Sequence, residues 1–226
     1  MKIILVIATL ILATLLLFQP APKLTPFNSI YPIESSVPLW LQAAPDPTQP
    51  LFQVSCTATS INEKKHYWLT AAHCIVDPSY TYRLNGSRLQ AIVLNTIDDV
   101  AIFHTYDFSV PAVPRASYPP PRGYHLSDSR CRVSVTGYPF GWTQQTTVMG
   151  TVAATSVIIG HMPGWDRPFT IFQLVGGPGM SGSAVLNQQQ EIVSVVQFAW
   201  GMVVSPLLGG VDFKVLQQYW WFWNEE

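Results

Sequence analysis

The sequence predicts an all-β protein. Only 11% of its 226 residues are charged and 19 are proline, a composition typical of β proteins with many turns rather than of helical bundles. Short β-branched segments bounded by turn residues favour strands, and they occur at 91–94, 132–135 and 191–196. A C-terminal helix is expected over 211–223, which contains neither glycine nor proline and can be capped by Asp212.

The N-terminus predicts an apolar helix that targets the chain to a membrane. Residues 3–18 are apolar apart from two threonines, a length between that of a signal-peptide core and that of a comfortable membrane span. Cleavage after Ala21 would place Gln19 at the upstream recognition position and Pro22 directly after the cut, and both are unfavourable. We therefore favour an uncleaved signal-anchor over 1–18, with a cleaved signal peptide as the alternative. The protein is then either membrane-anchored through residues 3–18, facing the extracytoplasmic side, or secreted.

Residues 19–50 contain eight prolines and few long apolar runs, so we expect an extended Pro-rich tether or a surface strap. The formal net charge of −1 provides no basic field for nucleic acid.

Cys56 and Cys74 lie 18 residues apart, and pairing them would stabilise the fold by about 3 kcal/mol. Cys131 then remains as a buried thiol or as half of an intermolecular disulfide. The cysteines lack the spacing of a metal site, so we expect no metal.

A histidine and an aspartate occur in local frames that suit reactive groups. His73 follows the apolar run Tyr-Trp-Leu-Thr and two small alanines, which leave room for an imidazole to project into a cleft. Asp99 directly precedes the apolar run 100–103, where a carboxylate is costly unless it is hydrogen-bonded, for example to an imidazole. Asp98 is the rival, and Asp99 is preferred because it abuts the run.

A glycine-rich turn over 177–185 supplies the third group, Ser181. Its glycines permit a tight turn that exposes the hydroxyl, and the N–H groups of Gly179 and Ser181 can form an oxyanion hole. Ser183 is a weaker candidate nucleophile because a strand continues from it. A serine needs an imidazole to accept its proton and a carboxylate to orient that imidazole, so the three frames together predict nucleophilic catalysis without a cofactor. An α/β-hydrolase is excluded because no histidine follows Ser181.

These motifs together resemble the trypsin-like (chymotrypsin-fold) serine endopeptidases, in their compact bacterial and viral form. Leu-Thr-Ala-Ala-His73-Cys is similar to that family's histidine motif, Asp99-Val-Ala-Ile to its aspartate motif, and Gly-Met-Ser181-Gly-Ser to its serine motif. The resemblance implies two antiparallel six-stranded β-barrels with the catalytic groups in the cleft between them. The N-terminal barrel would span 51–115, and the C-terminal barrel with its closing helix 116–226.

The resemblance also implies the role of each residue. Ser181 attacks, His73 acts as general base and then acid, Asp99 orients His73, and Cys56 pairs with Cys74. In members activated by cleavage, an aspartate precedes the nucleophile; Met180 stands there instead and cannot bind an ammonium group. The resemblance therefore implies an enzyme that needs no activating cut.

By the same analogy, five residues line the substrate pocket, and its floor is uncharged, which predicts an apolar residue before the cut bond. They are Val175, Gly176, Gln197, Phe198 and Ala199.

Two hypotheses follow for the function. The first is a serine endopeptidase that hydrolyses protein or peptide substrates through an acyl-enzyme. The second is a catalytically inactive trypsin-like fold that serves as a membrane-tethered protein-binding module. Two smaller alternatives also remain open. Residues 219–223 are either a membrane-interface aromatic belt or rings packed on the second barrel. Asn85 is either a glycosylation acceptor or part of a hairpin turn.

Overall fold

The computed structural model describes most of the chain beyond residue 35, and no N-terminal segment. The described ranges are 36–43, 52–75, 80–85, 87–121, 131–141, 144–160, 166–200 and 205–224. The predicted N-terminal helix over 1–18, and the tether up to residue 35, lie outside them. Within the described ranges, no helix is long and apolar enough to cross a bilayer.

Six antiparallel strands close the first barrel in the order β1-β2-β3-β6-β5-β4. The strands are β1 Ser36–Ala43, β2 Phe52–Asn62, β3 Tyr67–Thr70, β4 Tyr80–Leu84, β5 Ser87–Asn95 and β6 Val100–Thr105. Closure comes from β1, which pairs with both β2 and β4. Trp68 and Phe103 are fully buried, together with Ala58 and Leu84, and form the interior of this barrel.

Six further antiparallel strands close the second barrel in the order β10-β11-β12-β9-β8-β7. They are β7 Arg132–Gly137, β8 Thr146–Val157, β9 Phe169–Gly176, β10 Ala184–Leu186, β11 Ile192–Ala199 and β12 Ser205–Val211. Phe172 and several valines, among them Val133, Val135 and Val185, fill its core. The predicted all-β class is thereby confirmed.

The first barrel begins earlier than the predicted boundary at residue 51. Its first strand, β1, lies inside the segment that we expected to be a Pro-rich tether. Pro38 lies where β1 pairs with β2 alone, because the pairing with β4 begins at Leu39. A proline is tolerated in a strand where only one neighbouring strand needs backbone hydrogen bonds. The many prolines around this short apolar run therefore led us to expect a tether where the structure has a strand.

The C-terminal segment is helical but is not one continuous helix. Asp212 accepts a hydrogen bond from the Lys214 N–H, as an N-cap residue should, and α1 follows at Phe213–Leu216. A 3₁₀ turn (Gln217–Tyr219) and a second short helix, α2 (Trp221–Asn224), complete it. Val211, which we assigned to the helix, belongs to β12.

Aromatic rings of this segment pack against residues of both barrels. Tyr219 and Phe222 are buried in a cluster with Ile61 and Ile102 of the first barrel and Val195 of the second. Packing therefore accounts for these two rings, whereas Trp221 is 55% exposed.

Two smaller interpretations are confirmed. Asn85 lies in the turn between β4 and β5, where Leu84 pairs with Ser87, and its positive φ of 45° suits a two-residue hairpin. Cys131 is fully buried directly before β7 and takes no part in the disulfide.

Candidate active site

His73 lies in a 3₁₀ turn, Ala72–Cys74, that directly follows β3. Ala71 and Ala72 are fully buried, and Cys74 forms the predicted disulfide with Cys56 on β2. The His73 side chain is nevertheless 45% exposed. Small buried residues and the disulfide thus fix the turn, while the imidazole faces solvent.

Asp99 contacts both the backbone and the imidazole of His73. Its Oδ1 accepts a hydrogen bond from the His73 backbone N–H at 2.8 Å, and its Oδ2 lies 2.8 Å from His73 Nδ1. A carboxylate at Nδ1 favours the tautomer that carries its proton there, so that Nε2 is left as an acceptor. The Asp99 side chain is only 13% exposed, and its backbone has a positive φ of 52°. This conformation is uncommon but tolerated by aspartate.

Asp98, the rival carboxylate, faces a different part of the molecule. Its Oδ2 accepts hydrogen bonds from the Tyr219 hydroxyl at 2.7 Å and from Asn95 Nδ2 at 2.8 Å. Burial, and secondarily the hydrogen bond to Asp98, raise the pKa of Tyr219 well above its ordinary value. Asp98 therefore ties the turn to the C-terminal segment, and it is Asp99 that contacts the histidine.

The Ser181 turn is anchored to β2 of the first barrel through Thr57. The Thr57 N–H donates to the Ser181 carbonyl at 2.8 Å, and its hydroxyl donates to the Gly179 carbonyl at 3.0 Å. The Gly182 N–H donates to the Val196 carbonyl of β11 at 2.8 Å. Both barrels thus fix the backbone around the serine. Thr57 follows Cys56, one end of the disulfide that holds the histidine turn.

The two N–H groups predicted to form an oxyanion hole, those of Gly179 and Ser181, lie in the same turn. The Phe140 N–H donates to the Pro178 carbonyl at 2.5 Å. In a trans peptide the next N–H points the opposite way, so the N–H of Gly179 is directed away from Phe140. Gly179 has a φ of 91°, which favours glycine. Among the described residues, no hydrogen bond uses the N–H of Gly179 or of Ser181.

The described hydrogen bonds do not join Ser181 Oγ to His73. Catalytic hydrogen bonds are often long in substrate-free enzymes and shorten when substrate binds. The structure directly joins His73 to Asp99, and it anchors the Ser181 turn to the strand whose Cys56 is bonded to Cys74.

The model of the trypsin-like peptidase domain family matches residues 56–195, more than half of the chain. The chain belongs to this family. The match includes all three predicted motifs and confirms the predicted class of enzyme, a trypsin-like serine endopeptidase. We found no curated protein with significant similarity to the sequence.

Solved structures share the fold of this trypsin-like peptidase. The HtrA-type protease AlgW with a decapeptide has a TM-score of 0.65 and 15% identity, covering 89% of this chain and 68% of the AlgW chain. AlgW with a tripeptide has a TM-score of 0.65 and 16% identity, covering 86% of this chain and 62% of that one. A serine-to-alanine mutant of Rv3671c from M. tuberculosis H37Rv, in its inactive form, has a TM-score of 0.63 and 16% identity, covering 88% of this chain and 93% of that one. The peptidase thus spans about two thirds of the AlgW chains.

The residue before Ser181, where the resemblance to cleavage-activated members would predict an aspartate, is Met180. Met180 is 1% exposed and packs in the apolar core of the second barrel with Val133 and Val185. A charged side chain would be costly there. Apolar packing thus supports the turn without an ion pair.

The residues predicted to line the pocket have different surroundings. Val175 is 54% exposed at the end of β9, and Gly176 is buried so tightly that a Cβ would lie 2.7 Å from Leu208. The Phe198 ring, adjacent to Ala199, covers Gly209 of β12 and meets Phe169 edge to face at 5.2 Å.

Gln197 has a contact that the sequence did not predict. Its Nε2 donates to the carbonyl of Asp98 at 2.6 Å and to that of Asp99 at 3.2 Å. The side chain therefore braces the aspartate turn from the second barrel. The sequence around Gln197 could not predict this contact, because the aspartate turn lies almost a hundred residues earlier in the chain.

The sulfur atoms of Cys56 and Cys74 lie close to His73, in a group that could hold a metal ion if the cysteines were reduced. They are joined as a disulfide and so cannot act as thiolate ligands.

Proposed function

We propose that the chain hydrolyses peptide bonds through a His73–Asp99–Ser181 triad. The observation that carries the proposal is the pair of hydrogen bonds by which Asp99 fixes both the backbone and the imidazole of His73. Such a carboxylate selects the useful tautomer and stabilises the imidazolium that forms in the reaction.

In the proposed mechanism, Ser181 Oγ attacks the scissile carbonyl carbon while His73 Nε2 accepts the hydroxyl proton. The N–H groups of Gly179 and Ser181 stabilise the oxyanion. The C–N bond then breaks, His73 gives its proton to the leaving amine, and an acyl-enzyme remains. Water, activated by the same imidazole, releases the acid and restores the serine.

We further propose a peptide substrate with an apolar residue before the cut bond. AlgW, which shares the fold, is described with a decapeptide and with a tripeptide, and this supports a peptide ligand here. Two of the residues predicted to line the pocket are uncharged: Val175, which is 54% exposed, and Phe198, whose ring packs on Phe169. A peptide-library cleavage profile tests the preference, and dominance of arginine or lysine at that position would contradict it.

We propose that residues 3–18 place this activity at a membrane, on its extracytoplasmic side, or in the secreted fraction. Fractionation of cells that express the full chain tests the proposal. Recovery of the intact chain from the cytosolic fraction would contradict both forms.

Labelling with a fluorophosphonate tests the nucleophile. The full chain and the Ser183→Ala variant should react, whereas Ser181→Ala should not. Ser183 is a matched control because it is two residues away, fully buried, and outside the proposed machinery. If the folded wild-type protein is not labelled, the alternative of a non-catalytic binding module is favoured.

A further inference from the structure

Arg167 reaches from the second barrel to the turn that carries Asp99. It lies between β8 and β9, two residues before Phe169, and its side chain is only 16% exposed. Its Nη2 is 4.0 Å from Asp99 Oδ2, the oxygen that also contacts His73 Nδ1. Its Nη1 donates to the Ile97 carbonyl in the same turn. The guanidinium therefore contacts both the main chain and the carboxylate of the aspartate turn.

Packing holds the guanidinium in this place. Its central carbon lies 5.0 Å from the centre of the Phe169 ring, within the range of a cation–π contact. The Phe169 ring in turn meets Phe198. A planar cation that stacks on a ring and donates in its own plane is a geometry that lysine cannot reproduce.

The surroundings of Arg167 are mostly anionic. Burial lowers the pKa of Arg167, and the charges of Asp99, Asp98 and Asp166 oppose that change, with Tyr219 contributing in the same sense. His73 is a further titratable group of this cluster, because its Nδ1 lies 2.8 Å from the same Asp99 Oδ2. Arg167 and a protonated His73 would be two cations beside the same carboxylate oxygen, Asp99 Oδ2, and they would repel each other.

We propose that Arg167 is a positioning residue for the triad: it fixes the Asp99 turn to the second barrel and keeps His73 neutral, and so active as a base, at lower pH. This inference rests on the proposed function. A general base must be neutral to accept a proton, so the charge of Arg167 should set where activity is lost on acidification.

The test is the rate of fluorophosphonate labelling as a function of pH in the full chain. In Arg167→Met the acid limb of the profile should move to higher pH by roughly half a unit to one unit. The plateau rate should also fall, by about three- to tenfold, because the carboxylate is less well aligned. Arg167→Lys keeps the charge but not the planar contacts. It should restore the acid limb and not the plateau.

Arg115→Met is a matched control. Arg115 also lies over an aromatic ring, with its central carbon 4.7 Å from the centre of the Trp220 ring, and in the described part of the chain no contact joins it to His73, Asp99 or Ser181. Its loss should leave the acid limb in place. An unmoved acid limb in folded Arg167→Met overturns the proposal, even if the plateau falls. If that variant does not fold, Arg167→Gln, which is neutral but keeps a donor for the Ile97 carbonyl, gives the same comparison.

A second measurement separates this inference from the proposed function. The imidazole signals of His73 can be titrated by NMR in a Ser181→Ala background, which requires no turnover. Their midpoint should move to higher pH when Arg167→Met is added. A moved midpoint in a protein that is never labelled would refute the proposed function and leave the inference standing, whereas an unmoved midpoint would refute the inference.

Discussion

Replacing Asp99 by asparagine should abolish most of the activity while leaving the fold intact. The carboxylate provides one oxygen for the His73 N–H and one for Nδ1, each at 2.8 Å. Asparagine offers only one oxygen, and its NH₂ group would occupy the other place. If the oxygen keeps the backbone N–H, the NH₂ group faces Nδ1 and favours the tautomer with the proton on Nε2. That nitrogen can then no longer accept the serine proton.

The expected magnitude follows from these contacts. A hydrogen bond to a charged group contributes about 1.5–3 kcal/mol, and the imidazolium formed in the transition state also loses its counter-charge. In a triad of this kind the wrong tautomer lowers the rate by about 10⁴. We expect a decrease of about 10³–10⁴, equivalent to roughly 4–5.5 kcal/mol in the activation free energy.

Asp98→Asn is the matched control for this experiment. Its carboxylate accepts hydrogen bonds from Tyr219 and Asn95 and does not contact His73. We expect its labelling rate to stay within about tenfold of wild type, with a stability loss of about 1–2 kcal/mol. Rates of fluorophosphonate labelling and thermal melts measure both effects. Asp99→Asn activity within tenfold of wild type, or an equal loss in both variants, would refute the assignment of the carboxylates.

Three further predictions concern stability and are measured by unfolding of the full chain. Gly182→Ala should destabilise the protein by more than about 3 kcal/mol, because φ is 82° and a Cβ would lie 2.2 Å from the Thr57 carbonyl oxygen of β2. Gly160→Ala is the control: its φ is 61° but a Cβ would meet no atom within 4 Å, so it should cost only about 1–2 kcal/mol. Ser183→Ala should stabilise the protein by about 1 kcal/mol, because its buried hydroxyl makes no hydrogen bond to any described residue. Ser194→Ala loses a 2.7 Å hydrogen bond to the Val211 carbonyl and should destabilise by a similar amount, so shifts of the same sign would contradict this reasoning. Burial and a neighbouring histidine lower the pKa of His104, so the unfolded chain binds that proton more readily and stability should fall as pH drops below about 6.5. His104→Gln should flatten this slope, and an unchanged slope would exclude His104 as its cause.

The parts of the site that depend on local sequence could be predicted. His73 is fixed by the residues just before it and by the disulfide at Cys74, and both are visible as a short motif. Asp99 was preferred over Asp98 because it abuts the buried run of β6, and the structure places its carboxylate on the imidazole. Short-range packing and backbone conformation determine these positions, so a few adjacent residues carry the information.

Other features depend on contacts between distant segments and could not be predicted in this way. The strand β1 was not predicted because it contains Pro38 and is flanked by further prolines. Pro38 is tolerated because it precedes the residues of β1 that pair with β4. The C-terminal segment is divided into two short helices and a 3₁₀ turn, and its rings Tyr219 and Phe222 pack in a cluster with residues of both barrels. Arg167 and Gln197 approach the aspartate turn from the second barrel, and only the assembled fold shows that they do.

The turn between β5 and β6 explains why neighbouring aspartates have different roles. Asn95 Oδ1 accepts the N–H groups of Ile97 and Asp98, at 2.9 and 3.0 Å, and so closes the turn locally. Asp98 then points to the C-terminal segment, while the positive φ of Asp99 accompanies a carboxylate directed to His73. The second barrel and the C-terminal segment also hydrogen-bond to this turn. The position of the carboxylate therefore depends on how the two barrels pack. Substitutions at their interface should displace the His73 imidazole before they unfold the protein.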